Sequence, residues 1–215
     1  PHHHLWPGTP RTDGVSADNR YLLEDLWNDT QSGHKIHKTV FVECGQGYYE
    51  SGSAAMKPVG ETKFVVEVSE EAKQDNSKAQ IEGIVGHVDM MLGNSAREVL
   101  EAHIEQGRRK FKGIRHGASW DESNEIRNSH SHPIQHIYLD DQFQKGVEQL
   151  DALNLTLDAW NYHNQINELL ELAKCFPNLN IVQNHFGGPL GIGPYTNKRE
   201  EVFSQWQESI AKLAE

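Results

Sequence analysis

Hydrophobic positions along the chain follow two periods, and segments with these periods alternate from one end to the other. Leu22 and Leu26 stand four residues apart and predict an amphipathic helix over 17–28, whereas the β-branched, apolar run 39–44 predicts a buried strand. Continued along the chain, the same patterns predict strands at 2–5, 81–89, 111–117, 155–163 and 180–185, and helices at 59–73, 95–109, from 140, from 166 to 176, and from 202 to the end. Within 59–73, the stretch 64–68 would also suit a strand.

Six strands that alternate with helices predict an α/β fold with a parallel sheet and right-handed crossovers. A doubly wound sheet and a (β/α)8 TIM barrel both satisfy this order. Polar residues lie at the carboxyl end of nearly every predicted strand. A barrel collects its active site at these ends, whereas a doubly wound sheet concentrates it at one switch point. The residues concerned are Glu43, His87, Asp89, Arg115, His116, His163 and His185. The barrel is therefore the predicted fold.

The length of the chain does not match a whole barrel. A TIM barrel needs eight strands and typically about 250 residues, whereas this chain has 215 residues and six predicted strands. We therefore expect one barrel domain over 1–215, truncated to about six strand–helix units and lacking strands 7 and 8. A natural six-stranded open arrangement is the alternative.

Charge and composition exclude several classes of partner. The 20 Lys and Arg against 31 Asp and Glu give a net charge of −11, which disfavours nucleic acid and anionic membranes as partners. No apolar run approaches the roughly 18 residues that span a bilayer, and no secretory signal is visible. Cys44 and Cys175 are too few for a disulfide framework. We expect a cytoplasmic protein with a small-molecule substrate, and the sequence allows a homo-oligomer.

Histidine is the unusual component, with 13 residues. On a strand, His2 and His4 point to the same face about 6.5–7 Å apart, and His163 and His185 end two later strands of the predicted barrel. Neutral imidazole is a common zinc ligand, and three protein ligands plus water form the usual catalytic site. The alternatives are a purification-tag remnant at the N-terminus and ordinary hydrogen-bonded histidines at 163 and 185.

Other residues carry weaker signals. Glu43 is a candidate polar contact at the barrel mouth, and Cys44 is better explained by packing. Trp120 either covers the substrate or is a surface aromatic. The glycines of 187–193 are followed by neither a Lys-Ser/Thr pair nor an immediate helix, so they indicate a shaped loop rather than a phosphate cradle.

Several short motifs occur together in one order along the chain. They are His2-His3-His4-Leu5-Trp6, Thr39-Val40-Phe41-Val42-Glu43-Cys44, Gly83-Ile84-Val85-Gly86-His87-Val88-Asp89, Gly113-Ile114-Arg115-His116, Tyr162-His163 with Gln165, and His185-Phe186-Gly187-Gly188-Pro189. With these motifs the chain resembles, over essentially its whole length, the amidohydrolase-related (amidohydrolase 2) family of TIM-barrel metal-dependent hydrolases. That family contains lactonases acting on pyrone, muconolactone-type and sugar lactones, and it has decarboxylase relatives.

The resemblance assigns roles to particular residues. It implies that His2, His4 and His163 are metal ligands, that His185 binds metal or handles the reacting carbonyl, and that Arg115 contacts a substrate carboxylate. A planar guanidinium suits that contact, because it offers two parallel hydrogen bonds. We count Glu43, His87 and Trp120 as further substrate-binding candidates.

The chain also departs from the family pattern. The Asp of the family's Asp-x-His-x-His motif would precede Pro1, and the catalytic Asp after strand 8 would lie beyond residue 215. The predicted fourth strand carries Arg115 and His116 but no bridging Lys or Glu, which indicates one divalent metal, zinc by preference, although some relatives hold none. The resemblance therefore predicts a lactonase-like hydrolase, with a non-oxidative decarboxylase or an inactive truncated fragment as alternatives.

Overall fold

The computed structural model describes residues 1–8 and 20–215. Eight strands and six helices are present in this part of the chain. In chain order they are β1 His2–His3, β2 Trp6–Pro7, β3 Arg20–Tyr21, α1 Leu23–Thr30, β4 Lys38–Val42, α2 Val59–Ala72, β5 Gln80–Gly86, α3 Ala96–Gly107, β6 Phe111–Gly117, α4 Asp141–Ala152, β7 Thr156–Trp160, α5 Ile166–Cys175, β8 Ile181–Gln183 and α6 Arg199–Leu213. None of these helices has the length and apolar character needed to cross a membrane.

A six-stranded sheet contains β1, β4, β5, β6, β7 and β8 in that order, and its assigned strand pairs are parallel. The predicted α/β fold and its strand–helix alternation are therefore confirmed. The strands β2 and β3 form a separate antiparallel pair, in which Trp6 lies opposite Tyr21. This pair was not predicted, because strands of two residues are too short to show a period.

Contacts between Cα atoms divide the chain into two compact units. The first unit consists of Pro1–Val88 and Glu98–Ile114, and the second of Asp89–Arg97 and Arg115–Glu215. In the first unit β1 pairs with β4 so that His2 lies opposite Val40. The segment 59–72 is helical, and its Val65, Val68 and Ala72 form one buried face at spacings of three and four residues. The alternative of a strand at 64–68 is therefore wrong.

In the second unit β7 pairs with β8, with Leu157 opposite Ile181. The helix α4 begins where predicted, because the carboxylate of Asp140 accepts hydrogen bonds from the backbone N–H groups of Gln142 at 2.8 Å and Phe143 at 3.1 Å. The apolar face of α4 is fully buried. This core contains Tyr138, Phe143, Val147, Leu150 and Leu157.

Several predicted strands were too long at their carboxyl ends. The strands end at Val42, Gly86, Trp160 and Gln183 rather than at 44, 89, 163 and 185. Tight turns replace the missing residues: the Asp89 carboxylate caps a 3-10 turn by accepting from the N–H of Met91, and His163 begins another. The helix predicted at 17–28 is observed at Leu23–Thr30, and residues 17–19 of the prediction lie outside the described part of the chain. The final helix, predicted to reach the end of the chain, ends at Leu213.

We predict that Gly146→Ala destabilises the protein by about 3 kcal/mol, because an added methyl group must displace backbone. A Cβ built on Gly146 in α4 would lie 2.3 Å from the carbonyl oxygen of Met90. The measurement is the free energy of unfolding in urea. Gly191→Ala is the matched control, since a Cβ there meets nothing within 4 Å, and an equal effect of both substitutions would contradict the prediction.

Candidate functional site

The two N-terminal histidines of the predicted metal motif approach each other closely in the first unit. The Nε2 atoms of His2 and His4 are 3.2 Å apart, and the ring centroids are 4.8 Å apart. The other ring nitrogen of His4, Nδ1, lies 2.7 Å from the carbonyl oxygen of Val42. Because a carbonyl oxygen only accepts, Nδ1 of His4 carries a proton and donates it to Val42, which leaves Nε2 as the ring nitrogen that can offer a lone pair.

This geometry can be tested against a metal ion. Two nitrogens bound to tetrahedral zinc at about 2.0–2.1 Å are about 3.3 Å apart, close to the 3.2 Å between the two Nε2 atoms. The hydrogen bond from His4 to a backbone carbonyl is also the outer contact that orients a histidine ligand. The distance between the two nitrogens is therefore that expected of two zinc ligands, and in this structure the same two atoms share a hydrogen bond. Among the residues that the structure describes, no group of three or more His, Cys, Asp and Glu is arranged to hold a metal ion.

A buried pair of glutamates lies where the chain leaves β4. Glu43, predicted as a substrate contact, is fully buried, and so is Glu61 of α2. The Oε1 atom of Glu61 accepts hydrogen bonds from the backbone N–H groups of Cys44 at 3.0 Å and Gln46 at 2.7 Å. Burial and, as the second cause, the nearby charge of Glu43 together raise the pKa of Glu61 to about 8. Glu61 therefore holds a proton near neutral pH and anchors the loop after β4.

Glu61 was not identified from the sequence. An acidic residue in the first turn of a helix is ordinarily explained by the helix dipole and by solvent. Only the close approach of α2 to the backbone after β4 gives Glu61 its role. Gly60 permits this approach, because a Cβ at that position would lie 2.6 Å from the carbonyl oxygen of Gly47 and from the backbone nitrogen of Tyr49.

His87 lies just after β5 and is half-buried. Its carbonyl oxygen is 3.1 Å from Nε2 of His103, and Nδ1 of His103 is 2.8 Å from the hydroxyl of Thr62. Burial lowers the pKa of His103 to about 4, so this imidazole is neutral at pH 7. His103 thus ties α2 and α3 to the backbone after β5, and the role of the His87 side chain stays a prediction.

His163, in the second unit, is a buried imidazole. It is 1% exposed, and among the described residues neither ring nitrogen has a hydrogen-bond partner. Burial lowers its pKa, and the charge of Asp121 opposes this shift. The Tyr195 ring packs edge-on at 5.1 Å from the His163 ring. A neutral, buried imidazole with an unused lone pair has the chemistry of a metal ligand.

Asp121 joins the loops around His163. Its Oδ2 atom accepts hydrogen bonds from the Tyr195 hydroxyl at 2.7 Å and from Nδ2 of Asn164 at 3.1 Å. The backbone N–H of Trp120 donates to Oε1 of Gln165 at 2.9 Å. The polar segment that begins at residue 118 is therefore bound to the 3-10 turn that opens with His163. Trp120 itself is half-buried.

A second polar cluster of this unit contains Arg115. The Nη1 atom of Arg115 donates to Oδ1 of Asn184 at 3.4 Å, and Nδ2 of Asn184 donates to Oδ2 of Asp158 at 3.0 Å. All three side chains are buried. Burial raises the pKa of Asp158, whereas the bond from Asn184 and the charge of Arg115 oppose that rise. Asp158 and Asn184 were not identified from the sequence, although the carboxylate of Asp158 inside the apolar strand Thr156–Trp160 is a signal for a polar site.

His185 follows this cluster on a strained turn. Its φ of 49° and the φ of 55° at Phe186 lie in the left-handed region, which non-glycine residues rarely occupy. The His185 ring contacts Trp160 with centroids 4.5 Å apart. Burial lowers the pKa of His185, and the charge of Arg115 lowers it further. The imidazole is therefore held neutral.

The predicted site residues are thus distributed over both units. His2, His4, Glu43 and His87 belong to the first unit, and Arg115, Trp120, His163 and His185 to the second. The structure brings His2 and His4 together in the first unit. In the second unit Arg115 donates a hydrogen bond to Asn184, the residue before His185. That the four predicted imidazoles share one centre stays a prediction.

Known proteins resemble the chain over its full length. Residues 1–215 match the family model described as Amidohydrolase. The uncharacterized protein y4mH of Sinorhizobium fredii (strain NBRC 101917 / NGR234) is 25% identical over 229 residues, which cover 100% of this chain and 68% of that protein.

Solved structures share the fold. An amidohydrolase from Burkholderia multivorans superimposes with a TM-score of 0.64 and 19% identity in a form with bound HEPES, covering 100% of this chain and 64% of that one. The zinc-bound form gives 0.65, also at 19% identity, covering 99% and 64%. A probable 2-pyrone-4,6-dicarboxylic acid hydrolase from Acinetobacter baumannii, with citric acid bound, gives 0.59 at 11% identity, covering 97% and 64%. The chain therefore spans about two thirds of the length of these relatives and shares the parallel α/β architecture of their barrels.

Proposed function

The chain belongs to the amidohydrolase family over its whole length. We propose that it acts as a metal-dependent hydrolase that opens a small, carboxylated lactone. The observation that carries this proposal is the His2–His4 pair, whose Nε2 atoms are 3.2 Å apart with His4 oriented by a backbone carbonyl. The zinc bound in the related Burkholderia structure supports the choice of metal.

His2, His4 and His163 are the proposed ligands of one zinc ion. The unused nitrogens and 1% exposure of His163 suit this role. When bound, zinc supplies Lewis-acid chemistry, which polarises an ester carbonyl and makes water more acidic.

The remaining proposed residues handle the substrate and its proton. His185 is neutral, so it can take up a proton as a general base and return it as an acid. Arg115 is proposed to orient a substrate carboxylate through its guanidinium fork, and Glu43, His87 and Trp120 are proposed as additional contacts. The citric acid in the Acinetobacter hydrolase, whose name specifies a dicarboxylic acid, supports an anionic substrate.

The test is incubation of the zinc-loaded protein with a pyrone dicarboxylate lactone. We expect ring opening, which is measured as loss of the ultraviolet absorbance of the lactone and as the base needed to hold the pH constant. Release of CO₂ from the same acid or from an aromatic carboxylate would instead identify a decarboxylase. Absence of both reactions would identify the chain as inactive on this substrate class and would overturn the proposal.

Replacing Arg115 by lysine is expected to lower kcat/KM for the carboxylated lactone by about 100-fold, because an ammonium group cannot reproduce two parallel hydrogen bonds. The same variant should retain activity on a lactone whose carboxylates are methyl esters. Arg109→Lys is the control, since Arg109 is exposed in the first unit. An equal loss with acid and ester substrates would remove Arg115 from carboxylate recognition.

A further inference from the structure

A cleft lined by four cationic side chains lies in the first unit, where α2 and α3 end and β6 begins. Its volume is about 400 Å³, which is within the range of small-molecule sites. The cations are Lys73, directly after α2, and the three consecutive residues Arg108, Arg109 and Lys110. We call this feature the basic cleft. In a chain whose net charge is −11, such a concentration of positive charge sets this surface apart from the rest.

The basic cleft lies at the opposite end of the strands from the proposed site residues of the first unit. The strands β5 and β6 are parallel, and Ile84 of β5 lies opposite Phe111, the first residue of β6. Lys110 therefore stands at the amino end of β6, whereas His87 follows the carboxyl end of β5. The cleft is a separate feature, so its ligand does not depend on the proposed function.

Balancing the helix dipoles explains only part of this charge. The C-terminus of a helix is equivalent to about half a negative charge, so the ends of α2 and α3 together offset about one cation. Glu70 offsets a second, because its Oε1 atom forms an ion pair with Nζ of Lys73 at 2.6 Å. Outside the cleft, the charge of Glu82 acts on Lys110, and Lys112 adds a cation that compensates for it. About two positive charges therefore remain without a counterion.

The cations of the basic cleft influence one another, and two of them have donors to spare. Burial lowers the pKa of Lys110, the charge of Glu82 opposes this shift, and the charge of Lys73 adds to it. Within the part of the chain that the structure describes, the guanidinium groups of Arg108 and Arg109 form neither a hydrogen bond nor an ion pair. Their N–H groups can therefore be taken up by an oxyanion, whose geometry they match.

The backbone at Arg108 adds an independent observation. Its φ of 50° lies in the left-handed region, which glycine or asparagine usually supplies after a helix. A residue with a longer side chain is strained there, and strain of this kind concentrates at functional sites. An arginine at this position is therefore better explained by a ligand than by the turn itself.

We propose that the basic cleft binds the dianion of a small phosphate monoester. The two positive charges that remain in the cleft match the two negative charges of this group. Phosphate oxygens also accept parallel hydrogen bonds from guanidinium groups, which the two arginines can donate. The inference goes beyond the proposed function, since it adds a second ligand site at the other end of the strands.

The probe is phenyl phosphate, titrated calorimetrically into the purified protein at low salt and about pH 7.5, where a phosphate monoester is mostly dianionic. Arg108→Gly removes a cation but suits the left-handed backbone, and we expect it to weaken binding at least about 10-fold. Lys63→Gln is the matched control, because it removes the same charge from an exposed position of α2 outside the cleft. We expect this control to change the affinity by less than about twofold. Phenyl sulfate, a monoanion of nearly the same shape, should bind the wild-type protein at least about 10-fold more weakly than phenyl phosphate.

Each alternative outcome decides against the inference. Wild-type protein that does not bind phenyl phosphate, or that binds phenyl sulfate equally well, would overturn it and leave the proposed function untouched. An equal loss in Arg108→Gly and Lys63→Gln would assign binding to net charge and would also overturn it. Binding that persists in Arg108→Gly but is lost in Arg115→Lys would place the phosphate at the proposed substrate contact instead. If Arg108→Gly does not fold, Lys73→Gln replaces it, with an expected loss of about threefold or more against the same control.

Discussion

Replacing His4 by alanine is expected to remove the bound zinc and to lower lactone hydrolysis by about 1000-fold or more. The reason is the geometry of this imidazole, because Nδ1 contacts the carbonyl of Val42 at 2.7 Å and Nε2 faces Nε2 of His2 at 3.2 Å. A catalytic zinc has three protein ligands, so the loss of one removes much of its binding free energy. The measurements are zinc content by mass spectrometry and kcat/KM on the same preparations.

The matched control for His4→Ala is His34→Ala, which removes an exposed imidazole of the same unit. We expect the control to keep the zinc content and the activity of the wild-type protein. A His4→Ala protein with unchanged zinc content would exclude His4 as a ligand. Lost activity with retained zinc would assign His4 to substrate handling instead.

Replacing Glu61 by glutamine is expected to stabilise the protein at high pH by about 2–4 kcal/mol, while leaving stability at pH 5 nearly unchanged. The pKa of Glu61 is raised from 4.5 to about 8 by burial and by Glu43. Between pH 4.5 and about pH 8 the folded state holds a proton that the unfolded state has released. The free energy of unfolding therefore falls as pH rises, by about 1.4 kcal/mol per pH unit at most.

Glutamine is a suitable replacement at position 61, because its amide oxygen can still accept the two backbone hydrogen bonds from Cys44 and Gln46. The measurement is urea unfolding of both proteins at several values between pH 5 and pH 9. Glu67→Gln on the exposed face of the same helix is the control. Unfolding curves that differ by the same amount at every pH would contradict a buried, protonated carboxyl at position 61.

The order of the elements could be predicted from the sequence, because each element has a period of its own. The strand β6 was predicted at 111–117 and is observed at Phe111–Gly117, and the helix predicted at 59–73 is observed at Val59–Ala72. The residues at which the strands end were harder to predict. Apolar residues such as Val88 continue the pattern beyond the last hydrogen-bonded residue, and the tight turns that stop the strands depend on individual caps such as that of Asp89.

The candidate site was predictable only where neighbours in sequence are neighbours in space. His2 and His4 are two residues apart, so the strand period places them together, and their Nε2 atoms do meet. Glu61 contacts residues that lie 15 and 17 positions away, and Asn184 contacts residues 26 and 69 positions away. Contacts of this range depend on how helices and strands pack, and no local pattern encodes them.

The turn that carries His185 has a consequence for how this protein could be improved or damaged. Two adjacent side-chain-bearing residues in left-handed backbone, His185 at 49° and Phe186 at 55°, cost about 1–3 kcal/mol each. Glycine would relieve that cost at either position. A selection for thermal stability alone would therefore favour glycine at position 185. The most stable variants would then lack the His185 imidazole and with it any activity that depends on this side chain.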